Sequence, residues 1–258
     1  METIKELFDY KEMIKSLVRQ DLKGKYKGSF LGFLWTFLNP LFQLVIYTFV
    51  FDVIMKQNIE DYYLFIFVAF VPWIFITTTV VAGARAVLNR QDLVKKIYFP
   101  RLVLPVAHTL SGFINMLFSF IIVFGALAVS GRGIDVSKTG YFLLVLLITF
   151  LFGLGLTTIF SAITVFFRDL EYILSILSMA WMYITPIMYP EDLVPEEYRN
   201  IFNLNPATPI IRSYRAIFYY KTAPYLSDCI SALVVSLVLI IIGYAIFMRA
   251  ERRFAEEL

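Results

Sequence analysis

Six long stretches of apolar residues dominate the hydropathy pattern of the chain. Each is free of Asp, Glu, Lys and Arg, and short charged segments separate one from the next. About 20 apolar residues cross a bilayer as a helix, because unpaired backbone groups are too costly in hydrocarbon for a less regular structure. The pattern therefore predicts an all-α integral membrane protein with one domain, 1–258, and six spans at 28–51, 62–84, 102–131, 139–167, 172–190 and 229–248.

The composition is that of a membrane protein. Hydrophobic residues make up 59% of the 258 positions and charged residues 17%, whereas soluble domains average about 45–50% and about 25%. The net charge of +3, without a dense Lys/Arg tract, argues against nucleic acid as a partner. The single cysteine, Cys229, allows no internal disulfide and gives no metal-ligand spacing, so we expect no metal.

The distribution of positive charge predicts the orientation. With the N-terminus in the cytoplasm, the inside segments 1–27, 85–101, 168–171 and 249–258 hold 16 of the 23 Lys and Arg residues, and the outside segments hold 7. Because cytoplasmic loops are enriched in Lys and Arg, both termini are predicted inside. Residues 1–27 contain no cleavable signal peptide, so the first span serves as its own anchor.

Residues 1–27 form a predicted amphipathic helix. Apolar residues form a stripe along one face of this helix, and charged residues occupy the other faces. This pattern favours a helix that lies in the membrane interface. The alternative is a solvated helix that packs on another cytoplasmic protein. The stripe comprises Ile4, Leu7, Ile14, Leu17, Val18 and Leu22.

The first span carries polar residues on one face, interrupted by Pro40. Polar side chains in hydrocarbon seek a partner helix or water, so this face points inward, either to bond a neighbouring helix or to line a translocation path. Trp35 and Phe42 lie beside it. The face itself consists of Thr36, Asn39, Gln43 and Tyr47.

The fifth span presents Tyr172, Met179 and Tyr183 on one face, with Trp181 close to it. Tyrosine and tryptophan combine a flat apolar ring with a polar group. Sugars combine C–H faces with hydroxyls, so such a wall suits a glycan. The alternative is an aromatic belt at the membrane surface.

Two further spans have small or polar faces, which we assign to helix packing. His108 is the only histidine, and a lone histidine is more often a satisfied core residue than a ligand. These faces are His108, Ser111, Asn115 and Ser119 in the third span and Gly153, Thr157, Ser161 and Thr164 in the fourth.

Two connecting segments also suggest function. The basic segment 85–101 mixes apolar with charged residues, which suits docking into a partner groove or anchoring on anionic lipid. The outside segment 191–228 is too short and too charged to span the membrane twice, and we expect helices that dip into or lie upon the outer leaflet.

If the chain takes part in transport, the energy must come from another polypeptide. The sequence contains no phosphate-binding G-x-x-x-x-G-K-[ST] motif and no Asp or Glu inside the predicted spans for ion coupling. An enzyme of lipid-linked glycan assembly would need placed carboxylates. The densest acidic group, Glu191, Asp192, Glu196 and Glu197, has the pattern of a solvated turn, so we predict no catalytic residue.

Four stretches resemble the Wzm-type permeases of ABC exporters for O-antigen, teichoic acid and capsular polysaccharide. Together they extend over nearly the whole chain, in the expected order. They are RQDLKGKYKGSFLGFLW at 19–35 running on to Asn39-Pro40, KIYFPRLVLP at 96–105, FRDLE at 167–171, and TPIMYP at 185–190 followed by Asn205-Pro206 and Tyr214-Arg215.

The resemblance implies a homodimer enclosing a channel in the bacterial cytoplasmic membrane, with two copies of a separate ATPase that bind ATP and magnesium. The substrate would be a glycan on a lipid pyrophosphate, with Lys25, Lys27 and Arg168 as candidates to meet the pyrophosphate. The interfacial helix would be 1–24, the gate helices would come from 191–228, and the channel would be lined by the first and fifth spans. An exporter of a small lipophilic drug would share this architecture. The ATPase-coupling helix would be 86–98, with contact residues Leu88, Arg90, Asp92, Leu93, Lys95, Lys96 and Tyr98.

Overall fold

The computed structural model describes residues 2–24, 28–56 and 59–258, with the side chains of 2–4 and 255 left aside, and every regular element in these ranges is helical. A 3-10 turn, Gly32–Leu34, leads into α3, and a π-helical segment, Phe49–Ile54, continues it. The α-helices are α1 Glu2–Asp9, α2 Lys11–Gly24, α3 Trp35–Thr48, α4 Tyr62–Gly83, α5 Gln91–Lys96, α6 Val103–Val129, α7 Thr139–Phe166, α8 Leu170–Ile184, α9 Glu196–Leu204, α10 Thr208–Phe218, α11 Leu226–Ala250 and α12 Phe254–Glu257.

Among the described residues, five helices are long and apolar enough to cross a membrane. The fifth predicted span, 172–190, is shorter than expected, since α8 has 15 residues and ends at Ile184. At 1.5 Å per residue it is about 22 Å long, less than the bilayer core of about 30 Å. Pro186 and Pro190 follow and prevent the helix from continuing. The five long helices are Gly32–Ile54, Tyr62–Gly83, Val103–Val129, Val136–Phe166 and Leu226–Arg253.

The first span is displaced along the chain from its predicted position at 28–51. Its helical structure begins at Gly32 and ends at Ile54, so it includes Asp52 in the last turn. The expectation that no span contains an acidic residue is therefore wrong at this end. Asp52 is exposed, so the helix continues through it without burying the carboxylate.

Helix α4 forms the centre of the bundle. It is apolar around its whole circumference, most of its residues are buried, and α3, α6, α7, α8 and α10 pack around it. In contrast, α3 and α8 keep most of their surface exposed. They therefore lie as outer helices against a wall that α4 provides.

Helices α7 and α11 make the most extensive contact of the bundle, and glycine permits it. A Cβ atom at Gly155 would lie 2.7 Å from the Leu239 Cβ and 3.0 Å from the Ile240 nitrogen. A Cβ atom at Gly243 would lie 3.0 Å from the Gly155 carbonyl oxygen. Any side chain at these positions would push the two backbones apart.

The N-terminal segment forms two helices with a break at Tyr10, where a single helix was predicted. Its apolar stripe packs on the chain itself: Leu17 and Val18 are buried in a cluster with residues of the 87–107 region and the ends of α7 and α11. This cluster marks the end of the bundle that holds both described chain ends, which we call the terminal face. We call the opposite end, where α4 begins, the far face.

The two helices of segment 191–228 differ in environment. Helix α9 is exposed, with no buried residue, whereas α10 is buried almost throughout, against α4, α7 and α11. Helix α10 is therefore packed inside the bundle, and the position of both helices at the outer leaflet stays a prediction. Its apolar face, bounded by Pro209 at its start, is covered by the chain's own helices.

Candidate translocation path

The polar face of α3 meets a second polar face, on α6. Between them and α4 lies a cleft of about 500 Å³, including the open space at its mouth. We call it the polar cleft. Gln43 Nε2 donates a hydrogen bond of 2.5 Å to Asn39 Oδ1, one turn earlier on α3. The lining is Trp35, Thr36, Asn39, Pro40 and Gln43 from α3, Val71, Ile74, Phe75 and Thr78 from α4, and Gly112, Asn115, Met116 and Ser119 from α6.

A second depression lies on the other side of α3, between α3, α4 and α8. It encloses about 520 Å³, again including open space, and we call it the aromatic groove. The Tyr47 and Phe70 rings meet edge to face, with centroids 5.1 Å apart. Gln43 and Ile74 line both the groove and the cleft. The lining of the groove is Gln43, Tyr47, Phe70, Trp73, Ile74, Thr77, Ser178, Met179 and Met182.

Four residues predicted for the path, Phe42, Tyr172, Trp181 and Tyr183, line neither depression, whereas Trp35 lines the cleft. The Trp35 indole is held by a 3.0 Å hydrogen bond from its Nε1 to Ser29 Oγ. Phe42, Tyr172 and Tyr183 expose 56–67% of their surface on the outer sides of α3 and α8. A second polypeptide or lipid would have to cover them.

Trp181 faces into the bundle, unlike its neighbours Tyr172 and Tyr183. Its ring lies edge to face with Trp73, at 5.3 Å between centroids, and its Nε1 donates a 2.8 Å hydrogen bond to Asn205 Oδ1. The indole therefore fastens α8 to the segment between α9 and α10. In this position it supports the groove from behind.

The turn that follows α8 is held by side chains from two helices, α4 and α10. The Arg215 guanidinium, 4% exposed, donates to the carbonyls of Pro186 and Ile187 and lies 3.6 Å from the centre of the Phe65 ring. Tyr62 donates a 2.5 Å hydrogen bond to the Met188 carbonyl. The far-face end of α8 is thereby fixed to α4 and α10.

The terminal face presents the segment predicted to couple to a partner. Its helical part runs from Leu88 to Lys96, a 3-10 turn followed by α5, so the helix is shorter than the predicted 86–98. It ends because Ile97 becomes extended, which lets Phe99 reach the buried cluster. Among the predicted contact residues, Leu88 and Leu93 are half-buried and Asp92, Lys95, Lys96 and Tyr98 are exposed, Tyr98 by 95%.

Two ion pairs join this segment to its surroundings. Arg90 pairs with Asp21 of α2 at 2.7 Å and donates a hydrogen bond to Gln20 at 2.9 Å. Arg85, just after α4, pairs with Glu171 of α8 at 3.0 Å. The segment Leu88–Lys96 is therefore linked to α2. The end of α4, just before this segment, is linked to α8, which lines the groove.

The candidate pyrophosphate-binding cations are only partly described. Arg168 is exposed in the turn between α7 and α8, where it donates a weak 3.5 Å hydrogen bond to the Glu257 carbonyl. Lys25 and Lys27 lie outside the described residues.

Comparison with known proteins decides the family. The family described as ABC-2 type transporter matches residues 12–219. The chain belongs to the ABC-2 type transporter family. It is 38% identical over 260 residues to the O-antigen export system permease protein RfbA of Myxococcus xanthus, covering 99% of this chain and 98% of the relative. It is 32% identical over 251 residues to the O-antigen export system permease protein RfbA of Klebsiella pneumoniae, covering 97% and 95%.

The structure adds residues to the candidate path of this ABC-2 transporter that the sequence did not indicate. Asn115 and Ser119 had been assigned to packing, yet they line the polar cleft, and Trp73 and Thr77 of the buried α4 line the groove. Arg215 appears in the sequence only as part of the Tyr214-Arg215 resemblance, and no role was predicted for it. The signal was available, because an arginine on the apolar face of a helix needs buried partners.

Proposed function

We propose that the chain is the membrane-spanning subunit of an ATP-driven ABC exporter that translocates a lipid-linked polysaccharide of the O-antigen type. The aromatic groove is the observation that carries this proposal. It combines Tyr, Trp and Phe rings with amide and hydroxyl groups, and the described residues that line it include no Asp, Glu, Lys, Arg or His. Such a surface contacts both the C–H faces and the hydroxyls of sugars. The names of the two relatives support the same substrate class.

In the proposed topology α8 and the turn 185–190 together make the sixth crossing of the cytoplasmic membrane. The turn is irregular, which the bilayer tolerates only where protein buries the backbone. Arg215, Tyr62 and Asn205 supply the buried partners that such a turn requires. The terminal face lies in the cytoplasm in this proposal, in accord with the excess of Lys and Arg there.

A second copy of the chain would complete the channel. The outer sides of α3 and α8 expose large apolar residues, including Val45, Ile46, Ile176 and Leu177. Contiguous exposed apolar surface on a membrane helix is covered either by lipid or by another protein helix. A homodimer would bring two aromatic grooves together around one path. The many weak ring contacts would be exchanged one by one as the polymer slides, without a deep energy minimum.

Energy would enter at the terminal face. Two ATPase subunits would bind ATP and magnesium and hold the segment Leu88–Lys96, with the exposed Tyr98 ring as an anchor. Movement of this segment would carry α2 through the Arg90–Asp21 pair and α8 through the Arg85–Glu171 pair. The groove would widen because one of its walls shifts against the fixed α4.

The lipid pyrophosphate would enter from the same side. Arg168 is exposed at the start of α8, and a guanidinium binds phosphate through two parallel hydrogen bonds. Lys25 and Lys27 are close to the start of α3 in sequence and would add positive charge. The glycan would then meet the groove directly beyond.

Deletion of the gene tests the proposal. We expect loss of surface glycan and accumulation of lipid-linked glycan on the cytoplasmic side, both reversed by the intact gene. Replacing Tyr47 and Met179 together by Ala should reduce export while the ATPase complex still assembles. Ile121→Ala, on the exposed side of α6, is the matched control and should export normally. Normal surface glycan in the deletion strain would refute the substrate class.

A further inference from the structure

Two buried polar atoms of the polar cleft have no hydrogen-bond partner within the part of the chain that the structure describes. Thr36, 5% exposed, lines the cleft, and its Oγ1 forms no hydrogen bond. Asn115 Oδ1, on the facing helix α6, is also buried without a hydrogen-bond partner. A buried polar atom without a partner is costly. A molecule in the cleft would supply the partners that the helix packing does not.

The chemistry of the lining restricts what that molecule can be. Thr78 and Ser119 already use their hydroxyl protons on backbone carbonyls, at 2.6 Å to Ile74 O and 3.0 Å to Asn115 O. Their oxygens and Asn115 Oδ1 remain as acceptors, and the unpaired Thr36 hydroxyl can both accept and donate, so the occupant must carry hydrogen-bond donors.

The uncharged lining restricts the chemistry of the occupant further. Among the residues that the structure describes, none that lines the cleft carries an ionisable side chain. A pyrophosphate would find no cation there, and a metal cation would find no carboxylate. A neutral group rich in hydroxyls fits, and the Trp35 ring and the apolar residues of α4 offer a surface for its C–H groups.

We propose that the polar cleft binds a neutral glycosyl unit of the exported polymer, so that α6 contributes a sugar-binding wall through Asn115 and Ser119. This inference rests on the proposed function. Gln43 and Ile74 line both the cleft and the aromatic groove. A sugar in the cleft therefore lies beside the path of the chain, on the other side of α3.

Cysteine protection in native membranes tests the inference. Ser119→Cys is placed in the Cys229→Ser background, in the full complex with its ATPase, and labelled with a small thiosulfonate reagent. Membranes that contain the lipid-linked glycan are compared with membranes from cells that lack the first glycosyltransferase. We expect the glycan to slow labelling by about fivefold or more, as a site that is mostly occupied requires. Thr78→Cys, an exposed residue of the same cleft, gives a second probe if Ser119→Cys does not assemble.

Two reference positions separate the possible failures. Met179→Cys reports on the aromatic groove, and Leu117→Cys, on the outer side of α6, should label equally in both membranes. Protection at Met179→Cys without protection in the cleft would overturn this inference and leave the proposed function intact. Absence of protection at both positions would overturn both this inference and the proposed function. Equal labelling of the cleft in both membranes would mean that it holds water only.

A matched pair of substitutions tests the hydrogen bond itself. Thr36→Val removes the unpaired hydroxyl in the cleft, and Thr79→Val removes an equally unpaired, buried hydroxyl that does not line it. We expect Thr36→Val to lower the affinity of the cleft for glycan about two- to tenfold, the usual effect of one hydrogen bond, and so to reduce the protection. Thr79→Val should leave it unchanged. Equal effects of the two substitutions would assign the change to packing and contradict the proposal.

Discussion

Replacing Arg215 should release the turn that follows α8. The guanidinium is buried, and among the described residues it forms no ion pair within 4.0 Å. Its hydrogen bonds go to backbone carbonyls, of Pro186, Ile187 and Phe65. Arg215→Met keeps the apolar stem and removes the donors, so the effect can be assigned to the hydrogen bonds.

The expected magnitude follows from the two carbonyls of the turn. Pro186 and Ile187 would each lose a donor in a buried position, at a cost of about 1–3 kcal/mol apiece. Removal of a buried charge offsets part of this loss. We therefore expect the turn to open more easily by about 2–4 kcal/mol. With Arg215→Lys the free energy of opening the turn should lie between the values for Arg215→Met and for the natural protein, because an ammonium lacks the planar guanidinium fork that spans two carbonyls.

Hydrogen exchange measured by mass spectrometry on residues 185–190 of the assembled complex reports this opening directly. A change of 2–4 kcal/mol corresponds to exchange that is about 30- to 700-fold faster. Arg199→Met is the control, because the partners of Arg199 lie outside the turn: an exposed pair with Glu196 at 3.6 Å and a 3.3 Å hydrogen bond from Nε to the Val194 carbonyl. Exchange in the Arg215→Met complex within about threefold of the natural protein would refute the role assigned to Arg215, since that change is under 1 kcal/mol.

Three further substitutions test separate parts of the structure. Gly155→Ala should lower the stability of the detergent-solubilised protein by about 1–3 kcal/mol through overpacking against α11. Gly125→Ala should not lower it, because a Cβ at Gly125 meets nothing within 4 Å. Equal thermal unfolding of the two variants would contradict the close approach of α7 and α11. Tyr98→Ala should weaken binding of the ATPase subunit about tenfold without loss of stability, and unchanged affinity in a pull-down titration would remove Tyr98 from the interface. Asp21→Asn should break the pair with Arg90 and lower glycan export per ATP hydrolysed, and an unchanged ratio in reconstituted vesicles would show that the pair transmits nothing.

The sequence predicted the helices that are apolar over a full bilayer thickness. The second span was placed at 62–84 and forms Tyr62–Gly83; the fourth was placed at 139–167 and α7 is Thr139–Phe166. These limits are sharp because charged residues or turns bound a long uncharged run. The first and fifth spans were less predictable. In the first span the helix continues through the charged Asp52, and in the fifth the uncharged run continues past the end of α8.

The candidate path was predicted in part. Helical spacing placed Thr36, Asn39 and Gln43 on one face, and the structure confirms that they line one cleft. The partners of that face come from α4 and α6, and no periodicity within a single helix tells which neighbour it meets. Trp181 shows the same limit: its ring points inward to Asn205, a contact set by the packing of distant segments.

Reconstitution of transport tests the central claim most directly. The chain and its ATPase are placed together in sealed vesicles, with lipid-linked glycan supplied to the face that binds ATP, and glycan protected inside the vesicles is measured. We expect transfer that requires ATP and both proteins, and none from either protein alone. Transfer that proceeds without the ATPase, or ATP hydrolysis by this chain alone, would contradict the account.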